Sequence, residues 1–176
     1  MLIVGLAPGL HGANRTGRPF TGDSAGQLLY RTLYRFGLAS RPYSLAADDE
    51  LRLIGCRITN AVRCVPPQNK PTAGELVQCN GYLKAELETL QPRPAILALG
   101  KVAHTAVLAA CGVQQAEYRF AHGAEHALPG GAHLFDSYHC SRYNTHTGRL
   151  TEGMFAAVLA RIAEYFRAPC KQPRNC

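Results

Sequence analysis

Short apolar segments alternate with amphipathic segments along this chain of 176 residues. The apolar run at residues 2–7 ends in Pro8 and Gly9 and is typical of a buried strand. The same patterns predict three more strands and four helices, with strands at residues 54–62, 94–99 and 132–138 and helices at residues 24–36, 72–90, 101–111 and 151–166. Because strands that alternate with helices form parallel sheets covered on both faces, we predict a three-layer α/β/α fold around a four-stranded, mainly parallel sheet.

The chain is long enough for one domain, which we place at residues 1–167. Residues 39–51 are polar and irregular and are interpreted as a surface loop. Residues 168–176 are predicted to form a tail without regular structure.

The composition limits the partners and the location of the protein. The net charge of +7 favours a polyanionic partner, because neutralised phosphates release counterions. The chain has no apolar run of about 20 residues and no basic leader before its first strand, so we expect no membrane attachment and a cytoplasmic location. An odd number of cysteines, seven, indicates free thiols or metal ligands rather than a disulfide framework.

Three unusual loops follow predicted strands, at residues 8–23, 63–71 and 139–149. Ligands of parallel sheets bind beyond the carboxyl ends of the strands. We therefore expect the three loops to meet at one rim and to form the functional site there.

The first loop offers an aromatic ring, a carboxylate and two cations. Phe20 could stack against a nucleic-acid base. Asp23 precedes a helix, so it is either a helix N-cap or a carboxylate that orients an attacking water. Arg15 and Arg18 are either phosphate contacts or solvated charges.

The other two loops offer carboxamides, a histidine and basic residues. Asn60 or Asn69 could read the Watson–Crick edge of a base, because a carboxamide both donates and accepts hydrogen bonds. His139 ends a buried strand and by itself could be structural. Arg142 and Arg149 flank an aromatic residue, as expected for a loop pressed into a DNA groove.

Three runs of sequence together resemble the uracil-DNA glycosylase superfamily, most closely its family 5, the broad-specificity iron–sulfur branch. These runs are GLAPGLHGANRTGRPFTGD at residues 5–23, AVRCVPPQNKP at residues 61–71 and SRYNTHTGRLT at residues 141–151. The resemblance extends over residues 2–166 in the expected order. It implies a glycosylase domain at residues 1–167, with a sheet between layers of helices and an active site at the rim described above.

The resemblance also implies roles for individual residues. Asp23 would position the attacking water, and His139 would stabilise charge on the carbonyl oxygen of the departing base. The base would be held by Gly5, Ala7, Phe20, Asn60 and, as a second choice for its edge, Asn69. The DNA would be held by Arg15, Ser141, Arg142, Asn144 and Arg149.

The function implied is hydrolysis of the N-glycosidic bond of uracil in DNA after base flipping, with hypoxanthine, xanthine and etheno-cytosine as further substrates. The partner would be DNA that contains deaminated bases, and a monomer is expected. A catalytically impaired relative that binds DNA without turnover is the alternative. A third hypothesis, an enzyme for free nucleosides, leaves the basic loop at residues 142–149 without a partner.

Families 4 and 5 resemble each other in carrying a [4Fe–4S] cluster on four cysteines. Cys64 and Cys79 match one pair of these ligands, whereas no counterpart of the pair before the first strand is present. Three interpretations stay open: an N-terminal segment is missing, Cys170 and Cys176 supply the other thiolates, or the cluster has been lost. Cys140 also departs from the family pattern, which has Pro between the histidine and the serine.

Overall fold

The computed structural model describes residues 1–90 and 94–168. The strands are β1 (Leu2–Gly5), β2 (Arg57–Asn60), β3 (Ala95–Leu99), β4 (Glu125–Ala127) and β5 (His133–Ser137). The helices are α1 (Ala13–Thr16), α2 (Ser24–Arg35), α3 (Ala73–Glu88), α4 (Lys101–Ala110), α5 (Arg142–His146) and α6 (Glu152–Arg167). The predicted alternation of strands and helices is confirmed.

The strands form one sheet in the order β2-β1-β3-β5-β4. The first four strands in this order are parallel, and their register pairs Gly5 with Asn60 at the carboxyl ends of β1 and β2. The chain leaves β1 toward β2 on one side and returns to β3 on the other side. This reversal creates the crevice in which open α/β sheets bind ligands.

The sheet has five strands in the described residues, one more than predicted. The additional strand, β4, is antiparallel to β5 and covers its free edge. Its three residues, Glu125, His126 and Ala127, are too few and too polar to give a strand pattern. The predicted strand at residues 54–62 is shorter than expected, because Gly55 turns the chain with a φ of 65°.

Apolar residues alternate between the two faces of each central strand and build two cores. Ile3 faces one core, where α2 and α6 contribute Leu29, Leu33, Phe155, Leu159 and Ile162. Leu2 and Val4 face the other core, where α3 and α4 contribute Leu83, Ala103, Val107 and Leu108. Helices therefore cover both faces of the sheet, which confirms the three-layer α/β/α fold.

Side-chain caps fix where the long helices begin. The Asp23 carboxylate accepts a hydrogen bond from the Gly26 backbone N–H and starts α2. Thr72 and Glu75 form the predicted capping box of α3, and Thr151 caps α6. Each cap satisfies backbone donors that the first turn of a helix leaves unpaired.

The segment at residues 39–51 is more than a polar surface loop. Ala39, Ser44 and Leu51 are buried in it, and Ala39 forms an isolated bridge with Leu53. None of the helices in the described ranges has the length and apolar character that crossing a membrane requires. The predicted tail at residues 168–176 lies outside the described residues, apart from Ala168.

Candidate active site

A cavity of about 800 Å³ opens at the carboxyl ends of β1, β2 and β5. All three loops that the sequence singled out contribute to its wall. Eight predicted site residues line it together: Ala7, Phe20, Asp23, Asn60, Asn69, His139, Ser141 and Arg142. Gly5 lies directly behind this wall, against Asn60 and Phe20.

Asp23 both caps a helix and faces the cavity. Its Oδ1 accepts the Gly26 N–H at 3.0 Å, which is the N-cap interaction. Its Oδ2 lies against the first loop, where a Cβ added to Gly12 would be only 2.6 Å away. The two interpretations of Asp23 are therefore compatible, because each uses a different carboxylate oxygen.

Phe20 is held in an unusual backbone conformation at the cavity wall. Its φ is 56°, in the left-handed region, and its side chain is only 6% exposed. Its carbonyl oxygen packs so closely on Gly26 that a Cβ there would be 1.8 Å away. Gly26 thus permits a conformation that turns the aromatic ring of Phe20 toward the cavity.

Asn60 brings an unsatisfied polar atom to the cavity. Its Oδ1 is buried and has no hydrogen-bond partner among the residues that the structure describes. A Cβ on Gly5 would lie 2.4 Å from this oxygen and 2.8 Å from the Phe20 ring. Because a buried acceptor without a partner costs about 1–3 kcal/mol, its presence here favours a ligand that donates a hydrogen bond.

His139 lies near both Phe20 and Asp23 in the wall of the cavity. Its ring centroid lies 5.8 Å from that of Phe20, with the planes tilted by 31°. Burial lowers the pKa of His139, and the nearby Asp23 carboxylate only partly opposes this effect. The imidazole is therefore neutral at neutral pH, with one N–H available as a donor.

The turn that follows His139 is fixed by α5. The Asn144 carboxamide donates a hydrogen bond to the His139 carbonyl oxygen at 2.9 Å, and Ser141 accepts the Asn144 N–H as the cap of α5. Cys140, where the family pattern has Pro, is fully buried in the core, and burial raises the pKa of its thiol. Packing and the Asn144 hydrogen bond thus hold this turn without a proline.

The second loop reaches the cavity through a short 3₁₀ turn, Pro67–Asn69. Gln68 and Asn69 both have left-handed backbone conformations, with φ of 53° and 55°. Such conformations are costly for residues other than glycine and are found most often at functional sites. Both carboxamides are exposed at the mouth of the cavity.

Two of the predicted DNA-binding residues, Ser141 and Arg142, lie at this opening. Arg142 lines the cavity, whereas Arg15, Asn144 and Arg149 do not. Arg149 places its guanidinium 4.6 Å from the centre of the Tyr138 ring, a cation–π contact. Arg15 is exposed on α1.

Arg18 is a structural residue rather than a phosphate contact. Its guanidinium pairs with Asp49 and donates to the backbone carbonyls of Ala46 and Ala47. The structure differs from both alternatives for Arg18, because its guanidinium is neither free for a phosphate nor simply solvated. None of these internal partners is found for Arg15 among the described residues.

Leu10, His11 and Gln68 also line the cavity, although the sequence did not single them out. Their position follows from the path of the loops. Residue type alone does not distinguish them from ordinary loop residues.

Of the five cysteines in the described residues, Cys64 and Cys79 are the two that the resemblance assigns to an iron–sulfur cluster. Cys64 is exposed and Cys79 is half-buried on α3, and neither belongs to a group of three converging His, Cys, Asp or Glu side chains within the described ranges. The other candidate ligands, Cys170 and Cys176, lie outside the described residues. The iron–sulfur cluster therefore stays a prediction.

Comparison with known proteins agrees with the resemblance found in the sequence. The family model described as the uracil DNA glycosylase superfamily matches residues 1–163. A type-5 uracil-DNA glycosylase of Thermus thermophilus is 54% identical over 159 residues, covering 90% of this chain and 72% of the relative. A type-5 enzyme of Pyrobaculum aerophilum is 45% identical, covering 93% and 70%.

A type-4 uracil-DNA glycosylase of Pyrobaculum aerophilum is also similar, with 37% identity over 113 residues, or 64% of this chain and half of the relative. The type-5 relatives thus match both more of this chain and at higher identity, as the three sequence runs predict. Together with the three-layer fold and the cavity at its rim, these matches show that the chain belongs to the uracil DNA glycosylase superfamily.

Proposed function

We propose that this chain removes uracil from DNA by hydrolysing the N-glycosidic bond of a flipped-out nucleotide. One observation carries the proposal: a single cavity combines an aromatic ring, an unpaired carboxamide oxygen, a carboxylate and a neutral imidazole. The type-5 relatives bear the name of this activity. The bond is inaccessible inside a stacked duplex, so the nucleotide must first leave the helix at a cost of a few kcal/mol.

Phe20 and Asn60 would select the base. The Phe20 ring would stack on its face, and Asn60 Oδ1 would accept a hydrogen bond from its edge. Uracil presents an N–H at N3, whereas cytosine presents a lone pair there. The lone pair of cytosine would face the Asn60 oxygen and repel it. Asn60 Oδ1 therefore favours uracil over cytosine.

Asp23 and His139 would promote the bond cleavage. The bond between C1′ and the base breaks with its electron pair moving onto the base, which leaves an oxocarbenium-like sugar. A water held by Asp23 Oδ2 then attacks C1′ and gives up its proton through Asp23. The N–H of neutral His139 would donate to a carbonyl oxygen of the base, where a hydrogen bond strengthens as negative charge develops.

The basic residues around the opening would hold the DNA backbone. Arg142 lies at the cavity itself, and Arg15 and Arg149 are exposed nearby in the same loops. Ser141 and Asn144 would support this surface through the cap of α5 and the turn of His139. A monomer is proposed, because the residues assigned to the base and to the bond cleavage all come from one chain.

The mouth formed by Gln68 and Asn69 is open and rich in carboxamides, which can rotate to meet other donor and acceptor patterns. We therefore include hypoxanthine, xanthine and etheno-cytosine as further substrates. No step of the reaction is assigned to an iron–sulfur cluster.

The test is base release from a labelled duplex with one uracil opposite guanine, followed by alkaline cleavage. Asp23→Asn keeps a good helix cap, because Asn and Asp cap equally well, but it removes the charge. We expect Asp23→Asn and His139→Asn each to lower the single-turnover rate well beyond 10-fold, while binding to the duplex persists.

Thr151→Ala is the matched control. It removes the cap of α6 and should cost about 1 kcal/mol of stability without changing the rate of base release. If both cavity variants kept rates near that of the wild type, the proposed mechanism would be wrong.

A further inference from the structure

A second cluster of polar side chains lies inside the protein, outside the cavity lining. It consists of His104 on α4, His126 on β4 and Asp136 on β5. Asp136 is fully buried, and the side chains of His104 and His126 are 3% and 14% exposed. One ligand atom from each residue lies within 4.8 Å of the other two. The proposed glycosylase reaction uses none of these residues.

The hydrogen bonds of His104 leave room for one cation. Its Nε2 lies 2.9 Å from the Tyr118 carbonyl oxygen, so this nitrogen carries a hydrogen and donates it. Its Nδ1 lies 2.8 Å from Asp136 Oδ1. A neutral imidazole would therefore aim a lone pair at a carboxylate. A second proton on Nδ1 satisfies this short contact when no metal is bound. A metal ion that replaces this proton has to move the two atoms apart by about 0.5 Å to reach the spacing of tetrahedral ligands.

His126 contacts the second oxygen of the same carboxylate, and its ring lies next to that of His104. Its Nε2 lies 3.3 Å from Asp136 Oδ2. Tetrahedral zinc with bonds of about 2.0–2.1 Å separates neighbouring ligand atoms by about 3.3 Å. A hydrogen bond from Nε2–H would suit the same distance only at the upper end of its usual range.

The surroundings of the cluster match the shell of a metal site. Metal-binding histidines usually donate their second N–H to a carbonyl or carboxylate, as His104 does to Tyr118. Aromatic rings close the cluster: the edge of Phe120 meets His104, and the edge of Tyr118 meets His126. Such a shell limits the access of water and strengthens charge interactions inside.

We propose that His104, His126 and Asp136 bind one divalent transition-metal ion, with zinc as the best fit. Two imidazoles and one carboxylate are ligands that zinc accepts, with water in the fourth position on the half-buried side of His126. The ion would join α4, β4 and β5, which are three separate elements of the chain. It would hold the three-residue edge strand β4 in place and act on stability rather than on base release.

The experiment uses the full chain after treatment with a chelator, and zinc alone is the probe. Titration calorimetry should give one zinc site that His126→Gln weakens at least about 100-fold. At a zinc concentration 100-fold above Kd, the melting temperature should rise by roughly 5 to 10 °C in the wild type but not in His126→Gln. Cobalt in the same site should show visible d–d absorption without a thiolate charge-transfer band.

Two controls separate this site from other ligands. His133→Gln removes a neighbouring histidine on β5 that is not part of the cluster, and it should leave zinc binding unchanged. The double variant Cys64→Ser/Cys79→Ser should also keep the site. The proposal is overturned if wild-type protein binds no zinc, if His126→Gln binds it as tightly as wild type, or if only the cysteine variant loses it.

Discussion

At the level of single residues, the cavity depends on glycines that stand next to its functional side chains. Gly5 makes room for Asn60 Oδ1 and the Phe20 ring, Gly12 makes room for Asp23 Oδ2, and Gly26 makes room for the Phe20 carbonyl. A Cβ at any of these positions would lie closer than 3.0 Å to a neighbouring atom. The functional atoms can therefore occupy their positions only because these three glycines have no Cβ.

Gly12→Ala is expected to reduce base release by roughly 10- to 100-fold, because the new Cβ pushes Asp23 Oδ2 out of place. Gly9→Ala is the matched control, since a Cβ there would lie 3.5 Å from the same oxygen, an ordinary contact. Single-turnover rates of the two variants measure the difference. Equal rates for the two would show that the position of Oδ2 does not control the reaction.

The residue types at the site were predictable, but their geometry was not. The sequence marks Asp23, Phe20, Asn60 and His139 as candidates in or beside the loops that follow strands, and the resemblance to the glycosylase superfamily gives them their expected roles. It does not show that Asp23 uses one oxygen as a cap and leaves the other for the cavity. These separate roles of the two oxygens depend on the close packing of Gly12 against Asp23 Oδ2, which cannot be read from a sequence pattern.

At the level of elements, the first loop is held by the segment at residues 39–51. Ser44 contacts Thr21 through their hydroxyls at 2.6 Å and accepts the Gly22 N–H through its carbonyl. The Arg18–Asp49 ion pair joins the same two segments. These contacts fix the part of the chain that carries Phe20 and Asp23, so the segment supports the active site from outside the cavity.

Asp49→Asn should therefore destabilise the protein in a pH-dependent way. Burial alone would raise the pKa of Asp49, but backbone N–H groups and the Arg18 guanidinium outweigh burial and lower it. A lowered pKa in the folded state contributes stability above the ordinary value of 3.8, and this contribution is lost as the pH falls. We expect a deficit of about 2 kcal/mol in the free energy of unfolding at pH 7 that shrinks toward pH 3.

Urea unfolding at several pH values checks this prediction. Asp48→Asn is the control, because Asp48 is the exposed neighbour. A deficit of Asp49→Asn that stayed constant between pH 7 and pH 3 would contradict the role given to the Asp49 carboxylate.

The short helix α5 is expected to position His139 through Asn144. Asn144→Ala removes the hydrogen bond to the His139 carbonyl, so kcat should fall about 10-fold while Kd for the duplex stays the same. Thr145→Ala, which loses only hydrogen bonds to backbone carbonyls of its own segment, should leave both values unchanged. A higher Kd with an unchanged rate would instead place Asn144 on the DNA.

The elements differ in how well the sequence predicts them. Long periodic patterns gave α2, α3, α4 and α6 within a few residues, because apolar spacing and caps act locally. α1, β4 and α5 were missed, because each has five residues or fewer and is too short for a periodic pattern. β4 also depends on its pairing with β5, which is a tertiary contact, whereas the Ser141 cap that starts α5 is local.

At the level of the whole molecule, the sheet topology collects the functional loops on one side. The reversal between β2 and β3 places the carboxyl ends of β1, β2 and β5 around one crevice, although these ends, Gly5, Asn60 and Ser137, lie far apart in the chain. The net charge of +7 favours approach to a polyanion. The cavity then supplies the specificity that charge alone does not give.

The most direct test of this account is to count free uracil released by the wild-type protein from a duplex with one uracil opposite guanine. We predict one free uracil for each abasic site, with both strands intact until alkali is added. Duplex that is bound in a salt-sensitive manner but yields no free uracil would contradict the account and would identify a DNA-binding protein without turnover.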